Sequence, residues 1–250
     1  MRLTIGNDWH AEVTADPLPI IPRFSGNSVD IAHYADVQER ERFLLGTFGS
    51  RERLWETSDV LRFDPDSRRL AGAEFQLPGE SASVEDSARV SVLPAVRPSG
   101  LRADDVRDFR LEMCEVLCRA PEDTLLTSLR DIDVLDEPLE ARIGIAPDVS
   151  LLVQHGTVVG WSLTDPARYL TQAFAAPDPN PPFPATRRLL TECLDLITEP
   201  VIDDVMDGEP AGLARLRAAD QALRTQHEDR SRADALLAFI ANLVEDHRNW

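Results

Sequence analysis

The spacing of apolar and polar positions changes partway along the chain. Before residue 175 apolar side chains mostly alternate with polar ones, the period of strands with one buried face. From residue 185 onward they recur every three to four positions, the period of amphipathic helices.

Arg2–Ile5 and Trp9–Val13 read as a hairpin joined by the turn residues Gly6-Asn7-Asp8, after which the proline-bearing stretch Asp16–Pro22 ends regular structure. Ala35–Leu45, with its charged run Gln38–Arg42, predicts a helix cut short by Gly46 and Gly49. A second hairpin runs from Val60–Phe63 into Arg69–Leu77 through Asp64-Pro65-Asp66-Ser67. There proline presets one backbone angle and the aspartates accept from turn amides. Pro78–Asp86 is polar and predicts a solvated loop; Ala88–Leu93 alternates as a strand.

Val106, Phe109, Met113, Leu117 and Ala120 stand at helical spacing, with Asp104 and Asp105 where a first turn favours negative charge and Pro121 as a stop. This pattern predicts a helix over Arg102–Arg119. A shorter helix is expected over Asp123–Leu129 and a strand over Leu139–Ile145. Val149–Leu163 carries the sharpest hairpin signal, two apolar strands around His155-Gly156, since a two-residue turn ending in glycine accepts positive φ. Asp165 before Pro166 predicts a capped helix reaching Phe174.

Residues 176–184, Ala176-Pro177-Asp178-Pro179-Asn180-Pro181-Pro182-Phe183-Pro184, form a proline-rich connector of extended, semi-rigid character. It divides an α+β region, residues 1–175, from a helical region, residues 185–250. The latter reads as three helices, with Leu189, Leu190, Cys193, Leu194 and Ile197 on the first, Ala211–Gln226 the second and Ser231–His247 the third. About 66 residues in three helices are marginal alone, so they are expected to pack on the first region. The predicted fold class is α+β: an antiparallel sheet of β-hairpins packed with helices, with a mainly helical C-terminal segment.

Composition narrows the chemistry. The chain has no lysine among its 26 basic residues, so Schiff-base, pyridoxal-phosphate, P-loop and kinase-type lysine mechanisms are excluded. Alanine, arginine and proline are plentiful where asparagine and tyrosine are scarce, the skew of a GC-rich coding genome, which would lower lysine without selection; the other reading is a selected absence that avoids acetylation, tagging or lysine-specific cleavage. With 44 acids the formal charge is -18, which makes nucleic acid and anionic membranes poor partners and a basic protein a favoured one. No basic, apolar leader opens the sequence, no apolar run approaches about 20 residues, and three cysteines make no disulfide framework. A cytoplasmic protein is the expectation.

Signatures of specific catalysts are incomplete. Cys114 and Cys118 are one helical turn apart but supply only two metal ligands, and His10-Ala11-Glu12 lacks the P-C-x-x-C that zinc-dependent deaminases require. G-x-S-x-G, H-E-x-x-H and G-x-G-x-x-G do not occur, and no cofactor is implied. Two acid clusters remain: Asp131, Asp133, Asp136 and Glu137, with Glu140 beside them, and Asp203, Asp204 and Asp207. The expected function is a binding protein that meets a basic protein partner through these acids, in the manner of an immunity protein or antitoxin. Two other readings stand beside it, a carboxylate- or metal-dependent hydrolase or transferase and a structural assembly module.

Overall fold

A computed structural model describes residues 1–6, 9–50, 58–90, 93–111 and 113–247. It is an α+β fold in which, among the described residues, the strands form one sheet of ten and another of five. The central ribbon of the larger sheet is the hairpin of β14 (Val149–Gln154) and β15 (Thr157–Thr164). His155 at φ 50 and Gly156 at φ 70 make its turn, the two positive angles that a right-twisted ribbon needs.

Around β15 the sheet grows in both directions. On one side lie β1 (Arg2–Gly6) and β2 (Trp9–Thr14), then β10 (Gly100–Ala103). On the other come β12 (Leu125–Leu129), β11 (Val116–Arg119) and the short β8 (Glu80–Ser81). From β14 a branch continues through β13 (Ala141–Ala146) to β9 (Val96–Pro98). Pairing is antiparallel except for β1 with β15, β8 with β11 and β9 with β13.

The smaller sheet is antiparallel, in the order β3 (Arg23–Ser25), β4 (Ser28–Ile31), β7 (Leu70–Gln76), β6 (Val60–Phe63), β5 (Phe48–Gly49). Its β6–β7 turn is built as the residues suggest, Asp64 accepting from the Ser67 amide at 2.7 Å. Aromatic rings join the two sheets. Phe75 of β7 stacks on Trp161 of β15 with centroids 5.2 Å apart, and Trp9 of β2 meets Phe63 of β6 at 5.0 Å. Helix α1 (Val37–Gly46), capped by Asp36 onto the Glu39 amide, lies beside this sheet and buries none of its residues.

Helices α3 (Pro184–Leu196), α5 (Pro210–Thr225) and α6 (Arg230–Asp246), with the short α4 (Val201–Met206), follow the helical period. Their buried faces, including Leu190, Leu194, Leu216, Leu223, Leu236 and Ile240, belong to the same core cluster as the sheet residues Leu3, Leu117 and Trp161. Phe239 of α6 packs edge-on against Phe24 of β3 at 5.0 Å. Residues 176–183 are irregular and held in place: Arg232, 1% exposed, donates to the carbonyls of Asp178 (2.9 Å) and Asn180 (2.5 Å).

Five sequence expectations are overturned. Residues 102–119 are not a helix; β10 and β11 bound an irregular excursion in which Val106 and Met113 are exposed and Phe109 stacks on Trp9 at 4.0 Å. Residues 125–129, expected in a helix, are β12, buried on both faces so that no alternation marks it. In place of a solvated loop and a following strand, Glu80–Ser81 pairs in the sheet and α2 (Val84–Arg89) forms a helix; Ser91 and Val92 lie outside the described residues, as do the turn residues Asn7 and Asp8. The helix expected to reach Phe174 is a single 3-10 turn, Pro166–Tyr169, because Asp165 offers no capping bond and instead binds Arg187 at 2.5 Å.

Candidate functional site

A groove of about 580 Å³ opens where α2, the turn after β11 and the corner between α3 and α4 converge. Its volume lies within the range of about 300–1,000 Å³ usual for binding sites. Ser83 starts the α2 wall by accepting from the Asp86 amide at 3.0 Å, and Ser87 faces inward, accepting from the Arg119 amide at 3.3 Å. The opposite wall hangs from the sheet by Ser81 Oγ donating to Thr198 Oγ1 at 2.9 Å and by the Glu199 amide donating to the Gly79 carbonyl at 2.8 Å.

The floor is an ion network. Arg119 donates from Nε and Nη2 to the two carboxylate oxygens of Asp123 (2.6 and 2.8 Å), from Nη1 to Asp195 (2.5 Å) and from Nη2 to the Thr191 carbonyl (3.1 Å). Thr191 Oγ1 donates to Asp123 at 2.5 Å, and Arg215 of α5 joins Asp195 to Glu192. Burial disfavours the Arg119 charge, but the bonds and charges of Asp123 and Asp195 outweigh it and raise its pKa. Four of the five guanidinium N–H donors are thus engaged, with a bidentate grip on Asp123 that only a guanidinium makes.

The turn that supplies Asp123 is strained. Glu122 and Asp123 both sit in the left-handed region, at φ 57 and φ 50, where a side chain costs roughly 1–2 kcal/mol per residue. Asp123 is thereby buried on Arg119 while Glu122 is exposed on the groove lining. Glu199 is likewise exposed on the lining, and neither glutamate carboxylate has a hydrogen bond or ion pair with a described residue. Val84, 90% exposed, forms an apolar lip, with Ala88, Pro121, Pro200 and Val201 completing the greasy part of the wall.

Of the two sequence-predicted acid clusters, the second stands on and just after α4, whose first residue lines this groove, and the first on a turn that packs against α2 without lining the groove. Asp131, Asp133, Asp136 and Glu137 are exposed around the 3-10 turn Ile132–Asp136, which packs against α2 through Arg89–Asp136 at 2.8 Å. Asp131 caps that turn by accepting from the Asp133 amide, Glu137 meets His155 at 2.7 Å, and Glu140 accepts from the Gly156 amide at 2.8 Å. Asp203, Asp204 and Asp207 are exposed on and just after α4, whose first residue, Val201, lines the groove; their carboxylates have no ion partner among the described residues. Sequence reading missed Glu122, Glu199, Arg119 and Val84. The available signal was Pro121-Glu122-Asp123, a turn tripeptide in which Pro121 reads as a helix stop and Asp123 as the start of a short helix.

Elsewhere the titratable groups serve the interior. Asp59, just before β6, is 3% exposed, accepts from the Gln76 amide at 2.7 Å and is pushed by burial up to about 7. Cys114 faces it and is held well above its ordinary value by burial and the nearby carboxylate; burial raises Cys118 to about 11 and Cys193 to about 12. Cys114 and Cys118 belong to different core clusters, so they do not present a pair of ligands on one face. Among the described residues no group of three or more His, Cys, Asp or Glu is gathered as a metal would require. No family model, characterised protein or solved structure matches this chain.

Proposed function

We propose that this chain is a non-catalytic binding protein whose acidic face engages a basic protein partner, as an immunity protein or antitoxin engages a cationic toxin. One observation carries the reading: the carboxylates of Glu122, Glu199, Asp203, Asp204 and Asp207, without an ion partner among the described residues, lie on or beside one groove whose lining arginine is already bonded to Asp123 and Asp195. Such a surface repels phosphates and carboxylates and attracts guanidinium and ammonium groups. Within a chain of net charge -18, its field also raises the encounter rate with a cationic partner.

The test is a binding experiment with the full chain as bait in extract of its own host. A basic protein is expected to bind at about 50 mM salt, where charges act over more than 10 Å, and to elute by about 500 mM. The variant Asp203→Asn/Asp204→Asn/Asp207→Asn, which leaves the core untouched, should retain distinctly less of it. A complex indifferent to salt and to that variant, or no complex, removes the proposal.

A further inference from the structure

The groove has a shape and charge more specific than a general acidic surface. We infer that it is an anchor pocket for a single arginine side chain of the basic partner, an inference that rests on the binding reading above. Three features of the lining converge on a guanidinium carried on an aliphatic stem.

The first is unpaired negative charge. Glu122 and Glu199 come from different segments of the lining, one from the turn after β11 and the other from the α3–α4 corner, and neither has an ion partner among the described residues. The second is the absence of competition. The arginine that lines the floor gives four of its five N–H donors to Asp123, Asp195 and the Thr191 carbonyl, and it makes no bond to either glutamate. The third is apolar surface at the mouth. Val84, Ala88, Pro121, Pro200 and Val201 offer the contact that the three methylenes of an arginine cover when its head is held by carboxylates.

Arginine fits this set better than lysine, because its planar head presents five donors in several in-plane directions, where lysine offers a compact point charge. Buried arginines are also common energetic anchors of protein interfaces. The strained backbone at Glu122 has a role in this account. The left-handed turn that drives Asp123 down onto Arg119 leaves the neighbouring carboxylate on the groove side.

The experiment titrates the full chain by calorimetry at about 20 mM salt, where surface charge is least screened. The probe is an acetylated and amidated peptide of sequence Leu-Arg-Leu, set against the same peptide with citrulline, a neutral isostere, in place of arginine. The arginine peptide should bind about tenfold more tightly than the citrulline one, and Glu122→Gln/Glu199→Gln should remove that preference. Val84→Ser should weaken the arginine peptide while preserving the preference. Equal binding of the two peptides by the parent chain, or a preference that survives Glu122→Gln/Glu199→Gln, overturns the inference. If the preference survives there but vanishes in Asp203→Asn/Asp204→Asn/Asp207→Asn, the acidic-face reading stands and only the pocket falls. Thermal melts of each variant matching the parent establish that the fold is intact.

Discussion

Glu122 and Asp123 are consecutive acids in the same left-handed turn, yet they have opposite surroundings. Asp123 is 4% exposed and gives both carboxylate oxygens to Arg119, whereas Glu122 is exposed on a groove without an ion partner among the described residues. The same division runs through the molecule. Asp229 and Asp195 are held by Arg232 and by Arg119 with Arg215, while Asp203, Asp204 and Asp207 have no such partner. The acids held by arginine here tie separate segments together, whereas Glu122, Asp203, Asp204 and Asp207 are exposed and form, on the proposed reading, the face a partner would meet.

The largest effect is expected where an interior pair is broken. Arg232→Ala leaves Asp229 buried without its counter-ion and releases the carbonyls of Asp178 and Asn180. A loss of about 3–5 kcal/mol is expected in urea unfolding, together with faster proteolysis within residues 176–183. Stability near that of the parent would show that interior pairs do not anchor the connector.

Asp59 gives a pH-dependent version of the same contrast, an interior acid with no arginine bonded to it. Its folded pKa of about 7 lies above the ordinary 3.8, so its contribution to stability is fully present below about pH 4 and is lost as pH rises through 7. Asp59→Asn keeps an oxygen for the Gln76 amide and removes the titration. It should flatten this part of the stability profile and gain a few kcal/mol over the parent at pH 8. Parallel profiles for the two proteins between pH 4 and 8 would contradict the assignment.

Smaller effects separate interior from exterior arginines. Arg119→Lys replaces a bidentate fork by a point charge and should cost about 2 kcal/mol. Arg2→Lys, at a pair with Asp104 where Arg2 is 65% exposed, should change stability by less than about 0.5 kcal/mol. A cost at Arg119 as small as that at Arg2 would mean that a guanidinium is not structurally required at either site. Glu122→Gly relieves the left-handed strain and should gain about 1 kcal/mol while weakening capture of the basic partner, the trade expected where strain serves binding.

What could be read from the sequence follows how local the determinants are. The β14–β15 hairpin was legible because His155-Gly156 specifies its own turn, and α5 and α6 because each buries one stripe along a long helix. Residues 102–129 were misread because β11 and β12 are covered on both faces. Leu117 faces one core cluster and Cys118 the other, so the alternation that marks a strand is erased. The apolar residues of the intervening excursion then fell by chance at helical spacing. The acid clusters were visible as composition, but the groove was not. Glu122 and Glu199 are 77 positions apart in sequence, and only the packing of α3 against the turn after β11 makes them lining residues of one groove.

The most direct test compares the two neighbours. Glu122→Gln and Asp123→Asn each remove one charge, and each is measured for urea stability and for affinity to the arginine peptide over its citrulline counterpart. Glu122→Gln should leave stability unchanged and lose the arginine preference, whereas Asp123→Asn should lose about 2 kcal/mol of stability by unpairing Arg119. Equal stability losses, or an arginine preference untouched by Glu122→Gln, would contradict the division between acids that build the fold and acids that face a partner.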